Sequence, residues 1–89
     1  MEIQLIKKIQ EVFRLSEVFT GSGESITPIY KVRENVEKLQ ISENDMKDYF
    51  LSYIPRKYHQ YVEQIIQKIY HPTEKDLEID ERLKLSSLR

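Results

Sequence analysis

The 89-residue chain has no cysteine, only two glycines and three prolines, and no long run of apolar residues. Without cysteine it can form neither a disulfide bond nor a thiolate metal site. The small secreted disulfide scaffolds are therefore excluded, and a cytoplasmic location is the default expectation. Without a long apolar run, we expect no signal peptide and no membrane partner. The length suits one hydrophobic core, so residues 1–89 are expected to form a single helical domain.

An excess of one charge is also missing, because 14 basic and 15 acidic residues leave a net charge of −1. Nucleic-acid-binding domains usually carry a basic excess, so the balance disfavours nucleic acid as a partner. The charges are unevenly placed, however. Three acids against one lysine give −2 over residues 41–54, and three cations against one glutamate give +2 over residues 55–72. Neighbouring segments of opposite sign can attract each other or different partners.

The spacing of apolar residues predicts an all-α fold, because they recur every three or four positions along most of the chain. We expect a small compact bundle of four helices, at about residues 2–20, 28–40, 43–54 and 55–71. The fourth of these carries apolar side chains around well over half of its circumference. Such a distribution is typical of a central helix that packs on more than one side.

Capping and helix-breaking residues set the predicted boundaries. Thr27 is expected to cap the second helix, with Pro28 at its first position. Ser42, with Asp45 three residues later, predicts the start of the third helix. Pro55 disfavours a helical conformation at the preceding residue, so the third helix should end there.

Residues 73–88 leave two alternatives open. Thr73 and Asp76 have the spacing of a capping box, which favours a short fifth helix. The apolar residues that follow alternate instead, which favours an extended arm. We favour the helix, and a loosely packed tail over residues 73–89 is compatible with either alternative.

The segment from Val36 to Phe50 resembles a helix-turn-helix motif. Its apolar positions, its turn and its capping serine match the motif at Val36, Leu39, Ile41, Ser42, Met46 and Phe50. In that motif, the N-terminal residues of the second helix contact base edges in the major groove. The resemblance implies DNA contacts by Asn44, Lys47, Arg56 and Lys57. Two carboxylates at the same helix start, Glu43 and Asp45, would repel phosphates, so DNA binding is the alternative hypothesis.

Two groups of residues predict a protein-binding surface. Leu15 and Val18 lie off the main apolar face of the first helix and are three residues apart, so they should form a second stripe. This stripe predicts a homodimer through helix 1. The segment from Tyr53 to Tyr61 joins aromatic rings to cations, a combination enriched at the centres of protein interfaces. The candidate protein-binding residues are therefore Leu15, Val18, Tyr53, Arg56, Lys57 and Tyr58.

Residue patterns that carry chemistry are not found. His59 and Glu63 are four residues apart, yet two ligands do not make a metal site, and no His-Glu-x-x-His pattern occurs. There is also no glycine-flanked serine of the kind that acts as a nucleophile. We therefore expect no catalytic residue, no metal and no cofactor. The leading hypothesis is a small protein-interaction module, a regulator, inhibitor or adaptor that binds another protein or a second copy of itself.

Overall fold

The computed structural model describes residues 2–87 and has the all-α architecture that the sequence predicts. Five helices and a two-stranded hairpin follow one another along these residues. In chain order they are α1 (Ile3–Ser16), β1 (Val18–Phe19), β2 (Ser25–Ile26), α2 (Ile29–Leu39), α3 (Glu43–Tyr53), a 3-10 turn (Arg56–Tyr58), α4 (His59–Tyr70) and α5 (Glu74–Ser87).

The hydrophobic core is built by the first four helices and the turn between α2 and α3. Each of these helices contributes side chains from one face, as helical periodicity requires. The buried cluster consists of Ile9, Val12, Val32, Val36, Ile41, Met46, Val62, Ile66 and Ile69. Helix α5 contributes none of these residues, so the core is that of a four-helix bundle with a fifth helix docked on its surface.

The first helix is shorter than predicted, because α1 ends at Ser16 and not near residue 20. Residues beyond it form a hairpin in which Val18 pairs with Ile26 and Phe19 pairs with Ser25. Valine and phenylalanine favour extended backbone. Gly23, with φ of +85°, supplies the left-handed residue of the connecting turn. The expectation that Val18 continues a helical stripe from Leu15 is therefore wrong.

The corner between α2 and α3 forms close to its predicted place. Gln40 ends α2 in a left-handed conformation, with φ of 55° and ψ of 52°. Ser42 caps α3 as predicted, because its hydroxyl accepts a hydrogen bond of 3.2 Å from the backbone N–H of Asp45. At the other end of α2, the predicted Thr27 cap is wrong. The cap position is held by Pro28, without a side-chain hydrogen bond, and the helix begins one residue later.

The C-terminal segment is a helix and not an extended arm, because residues 74–87 form α5. The predicted capping box is present. The backbone N–H of Thr73 donates to Asp76 at 3.1 Å, and the N–H of Asp76 donates to Thr73 Oγ1 at 3.2 Å. The last residues of the predicted segment, 88 and 89, lie outside the described residues.

Helix α5 is held on the bundle by a polar clamp centred on Arg33 of α2. The Arg33 guanidinium donates to Asp80 of α5 and to the backbone oxygens of Lys68 and Ile69 at the end of α4, the last at 3.2 Å. Asp80 is itself only 6% exposed. A charged pair therefore joins α5 to α2 and α4, beside a small pocket that Ile29, Ile79 and Leu83 help to line.

Candidate interaction surface

The connection between α3 and α4 has a backbone fixed by several hydrogen bonds. The N–H of Ile54 donates to Phe50 O at 2.8 Å, and the N–H of Tyr58 donates to Pro55 O at 2.9 Å. The ring of His59 donates from Nε2 to Ile54 O at 2.9 Å. Proline cannot continue the helical hydrogen bonding, which explains the break. We call this connection, with the side chains of Tyr53, Arg56, Lys57 and Tyr58, the aromatic corner.

A chain of ring contacts supports Tyr53 from inside the bundle. Phe13 of α1 meets Phe50 of α3 edge-on, with ring centroids 5.6 Å apart. Phe50 contacts Tyr49 at 5.7 Å, and Tyr49 contacts Tyr53 at 5.1 Å. Such ring pairs add stabilisation beyond the area that they bury. Tyr53, 57% exposed, is thus the outer end of an ordered aromatic series.

The cations of the corner lie beside a second exposed ring. Lys57 Nζ lies 4.9 Å from the centroid of the Tyr58 ring, a distance typical of a cation–π contact. Arg56 and Lys57 are both exposed, and Tyr58 is 44% exposed. The four protein-binding residues predicted for this segment therefore lie together on the surface, where a partner can reach them.

Helix α4 packs against both α2 and α3, but it is not covered around most of its circumference. Only Val62, Ile66 and Ile69 are buried on it. Tyr61 is 63% exposed and Ile65 is 37% exposed. They extend the exposed surface of the corner along α4, because residues three or four apart are neighbours on a helix. The periodicity of α4 includes Tyr61 and Ile65 in its broad apolar surface, but periodicity does not show which part of that surface is covered.

The predicted stripe of Leu15 and Val18 does not exist as one surface. Leu15 is exposed near the end of α1, whereas Val18 is half-buried in β1 and pairs with Ile26. Their common helical face was the reason to expect a homodimer through helix 1, and that reason is removed. The neighbouring Phe19 is 78% exposed on the hairpin.

The start of α3 is where the helix-turn-helix resemblance places base contacts. Asn44 and Lys47 are exposed there. The same helix end is covered from the side by the end of α4. His71 Nε2 lies 2.9 Å from a carboxylate oxygen of Glu43. The Tyr70 hydroxyl donates to Ile41 O at 2.9 Å, so the last residue of α4 and the residue after it both contact this end of α3.

The start of α3 is negatively charged. Burial, followed by the negative charges of Glu43 and Asp45, raises the pKa of Tyr70 to about 12. A phosphate brought to the same place would meet those two carboxylates at short range. Lys47 lines a shallow groove between α3 and α4 in which the other lining residues are Glu43, Gln60, Glu63, Gln64, Ile66 and Gln67.

Within residues 2–87, no three His, Asp or Glu side chains lie close enough together to hold one metal ion. The capping carboxylate Asp76 has its pKa lowered by the hydrogen bond from the Thr73 backbone, as expected for a helix start. None of the helices in residues 2–87 has the length and apolarity needed to cross a bilayer.

The chain forms a small all-α bundle with an exposed aromatic and cationic corner at the start of α4 and a fifth helix held by Arg33 at the end of α4. Comparison with protein-family models, curated proteins and solved structures finds no significant match to the chain.

Proposed function

We propose that this protein is a small interaction module, a regulator, inhibitor or adaptor, that binds another protein through the aromatic corner. It acts in the cytoplasm and without chemistry of its own. The observation that carries the proposal is the exposure of three tyrosines, Tyr53, Tyr58 and Tyr61, on or beside one rigid connection. Tyrosine buries a large area at little entropic cost and keeps a polar group, so it is enriched where proteins bind tightly.

The rigidity of the corner strengthens this proposal. Binding is weakened by the entropy lost when mobile side chains become ordered. Tyr53 is already in contact with Tyr49, and Tyr58 with Lys57, so part of this ordering occurs on folding. The tyrosine side chains would therefore lose less conformational entropy when a partner binds.

The test is selective retention of a partner from a lysate of the source organism. The wild-type chain is immobilised beside the double variant Tyr58→Ala/Tyr61→Ala and the control Lys38→Ala, which changes an exposed residue of α2. We expect the wild type and the control to retain one protein equally. The double variant should retain at least about tenfold less of it, which corresponds to a loss of about 1.4 kcal/mol in binding free energy. Equal retention by all three, or no protein retained above the empty matrix, contradicts the proposal.

A DNA-binding regulator is the alternative function, and the α2–α3 corner with its capping Ser42 is the observation that favours it. Asn44 and Lys47 would contact bases, and Arg56 and Lys57 would contact phosphates. The acids at the start of α3 oppose it. This alternative predicts duplex affinity that falls steeply with salt. Fluorescence anisotropy with mixed-sequence duplexes at low ionic strength tests it, and no binding at micromolar protein removes it.

A further inference from the structure

The exposed face of α4 combines apolar and aromatic side chains with cations. Tyr58, Tyr61, Ile65 and Lys68 follow one another at intervals of three, four and three residues, so they form one stripe along the helix. Lys57 adjoins the first of them. The single acid of α4, Glu63, lies about 160° around the helix from Tyr61. We call this stripe with Lys57 the basic face.

The outer face of α5 has the complementary composition. Its members are all exposed and fall within about 100° of arc on a helix with 3.6 residues per turn. They are Glu74, Leu77, Glu78, Glu81 and Leu85. Leu77 is 49% exposed and Leu85 is 65% exposed. We call this set the acidic face.

The contacts of α5 with the bundle keep the acidic face turned outward. Asp80, about 110° around the helix from the centre of the acidic face, is buried against Arg33, which turns that side of α5 toward α2 and α4. Lys84, the cation nearest to the acidic face, is drawn toward α2, where its Nζ lies 3.5 Å from a carboxylate oxygen of Glu34. Arg33 and Lys84 line the same shallow groove as Leu77 and the three glutamates of the acidic face, and those glutamates are exposed.

Charge and length both match between the two faces. Three cations against one acid give +2 over residues 55–72, whereas five acids against three cations give −2 over residues 73–87. Helix α4 has 12 residues and α5 has 14, so both run for about 20 Å at 1.5 Å per residue. Within one molecule the faces do not cover each other, since Tyr61 and Leu85 are both more than 60% exposed.

We propose that these two faces bind a second copy of this chain. The basic face of one copy docks on the acidic face of the next. The proposal rests on the proposed function, because it makes the α4 side of the aromatic corner a self-association surface. Two different faces make a heterologous contact, which leaves one unpaired face at each end and lets assembly grow with concentration. A net charge of −1 offers little repulsion against this association.

The test uses the whole chain in sedimentation velocity and light scattering, from about 10 to about 500 µM, the range suited to a contact of micromolar strength. Tyr61→Glu removes the basic face, and Leu77→Lys removes the acidic face. Lys38→Glu and Glu37→Lys are matched controls on the exposed side of α2. Circular dichroism checks that every variant keeps its helices, and Tyr58→Glu replaces Tyr61→Glu should the latter lose them.

We expect the average mass of the wild type and of both controls to rise above the 10.8 kDa monomer as concentration increases. Each face variant alone stays monomeric. Their equimolar mixture forms a dimer and nothing larger, because only one intact pair of faces remains. High salt weakens the wild-type assembly.

Three results would overturn the proposal. They are a wild type that stays monomeric throughout, association that survives both face variants, and a mixture of the two variants that stays monomeric. A monomeric wild type that still retains a partner in the lysate experiment refutes self-association alone. Failure of that retention in addition refutes the proposed function.

Discussion

Replacing Arg33 with methionine should release α5 while leaving the four-helix core folded. Methionine keeps much of the apolar stem but removes the guanidinium. The variant therefore loses the hydrogen bonds to Asp80 and to the backbone oxygens of Lys68 and Ile69. Asp80, only 6% exposed, would be left as a buried carboxylate without its partner.

The size of the effect follows from the burial of the pair. Removing one partner of a fully buried ion pair costs 3–5 kcal/mol, and the side chains of Arg33 and Asp80 are 17% and 9% exposed, so we expect about 2–4 kcal/mol. Helix α5 places no side chain in the buried apolar cluster. Opening of α5 is consequently the easiest way to rehydrate Asp80.

Hydrogen exchange of the backbone amides measures this opening directly. Amides in the later turns of α5 should exchange between about 30-fold and about 700-fold faster in Arg33→Met, since each 1.4 kcal/mol is a factor of ten. Amides of the buried stretch of α4 should change little. The double variant Arg33→Met/Asp80→Leu should recover much of the protection, because two apolar groups leave no unpaired charge. Unchanged α5 exchange in the single variant, or no recovery in the double variant, would refute the clamp.

Three further predictions concern the bundle itself. Met46→Ala should lower the free energy of unfolding in urea by about 2–5 kcal/mol, because Met46 is fully buried, whereas Leu51→Ala at an exposed position should cost less than about 1 kcal/mol. Gln40→Gly should raise the free energy of unfolding by about 0.5–1 kcal/mol, because glycine adopts the left-handed conformation without a Cβ penalty. An unchanged urea midpoint would contradict this prediction. The folded pKa of Tyr70, about 12, exceeds its ordinary value of 10.0, so this phenol stabilises the fold fully below pH 10 and loses that contribution as the pH rises toward 12. Tyr70→Phe should abolish the highest-pH step of the tyrosinate absorbance and reduce the alkaline loss of stability.

Features set by residues close in the chain could be predicted from the sequence. The Ser42 cap and the Thr73–Asp76 capping box each depend on a hydrogen bond between residues three apart, so their spacing is a direct signal. The interruption at Pro55 follows from the missing N–H of proline. The residues of the aromatic corner were predicted from the combination of rings and cations between Tyr53 and Tyr61, and they are exposed.

Features set by contacts between distant residues could not be predicted. Arg33 and Asp80 are 47 residues apart, and nothing local in either segment indicates the pair. Tyr61 and Ile65 of α4 are exposed, although the apolar periodicity of the helix includes them. The hairpin after α1 was missed since strands of two residues are too short to show alternation.

Photo-crosslinking at the surface of α4 tests the central claim most directly. The photoreactive residue p-benzoylphenylalanine replaces Tyr61 in one variant and Glu37, an exposed residue of α2, in a matched control. Both variants are irradiated in cells of the source organism. We predict a discrete crosslinked species, containing a second protein or a second copy of this chain, at position 61 and not at position 37. Equal labelling at both positions, or a discrete product at position 37 alone, would contradict the account.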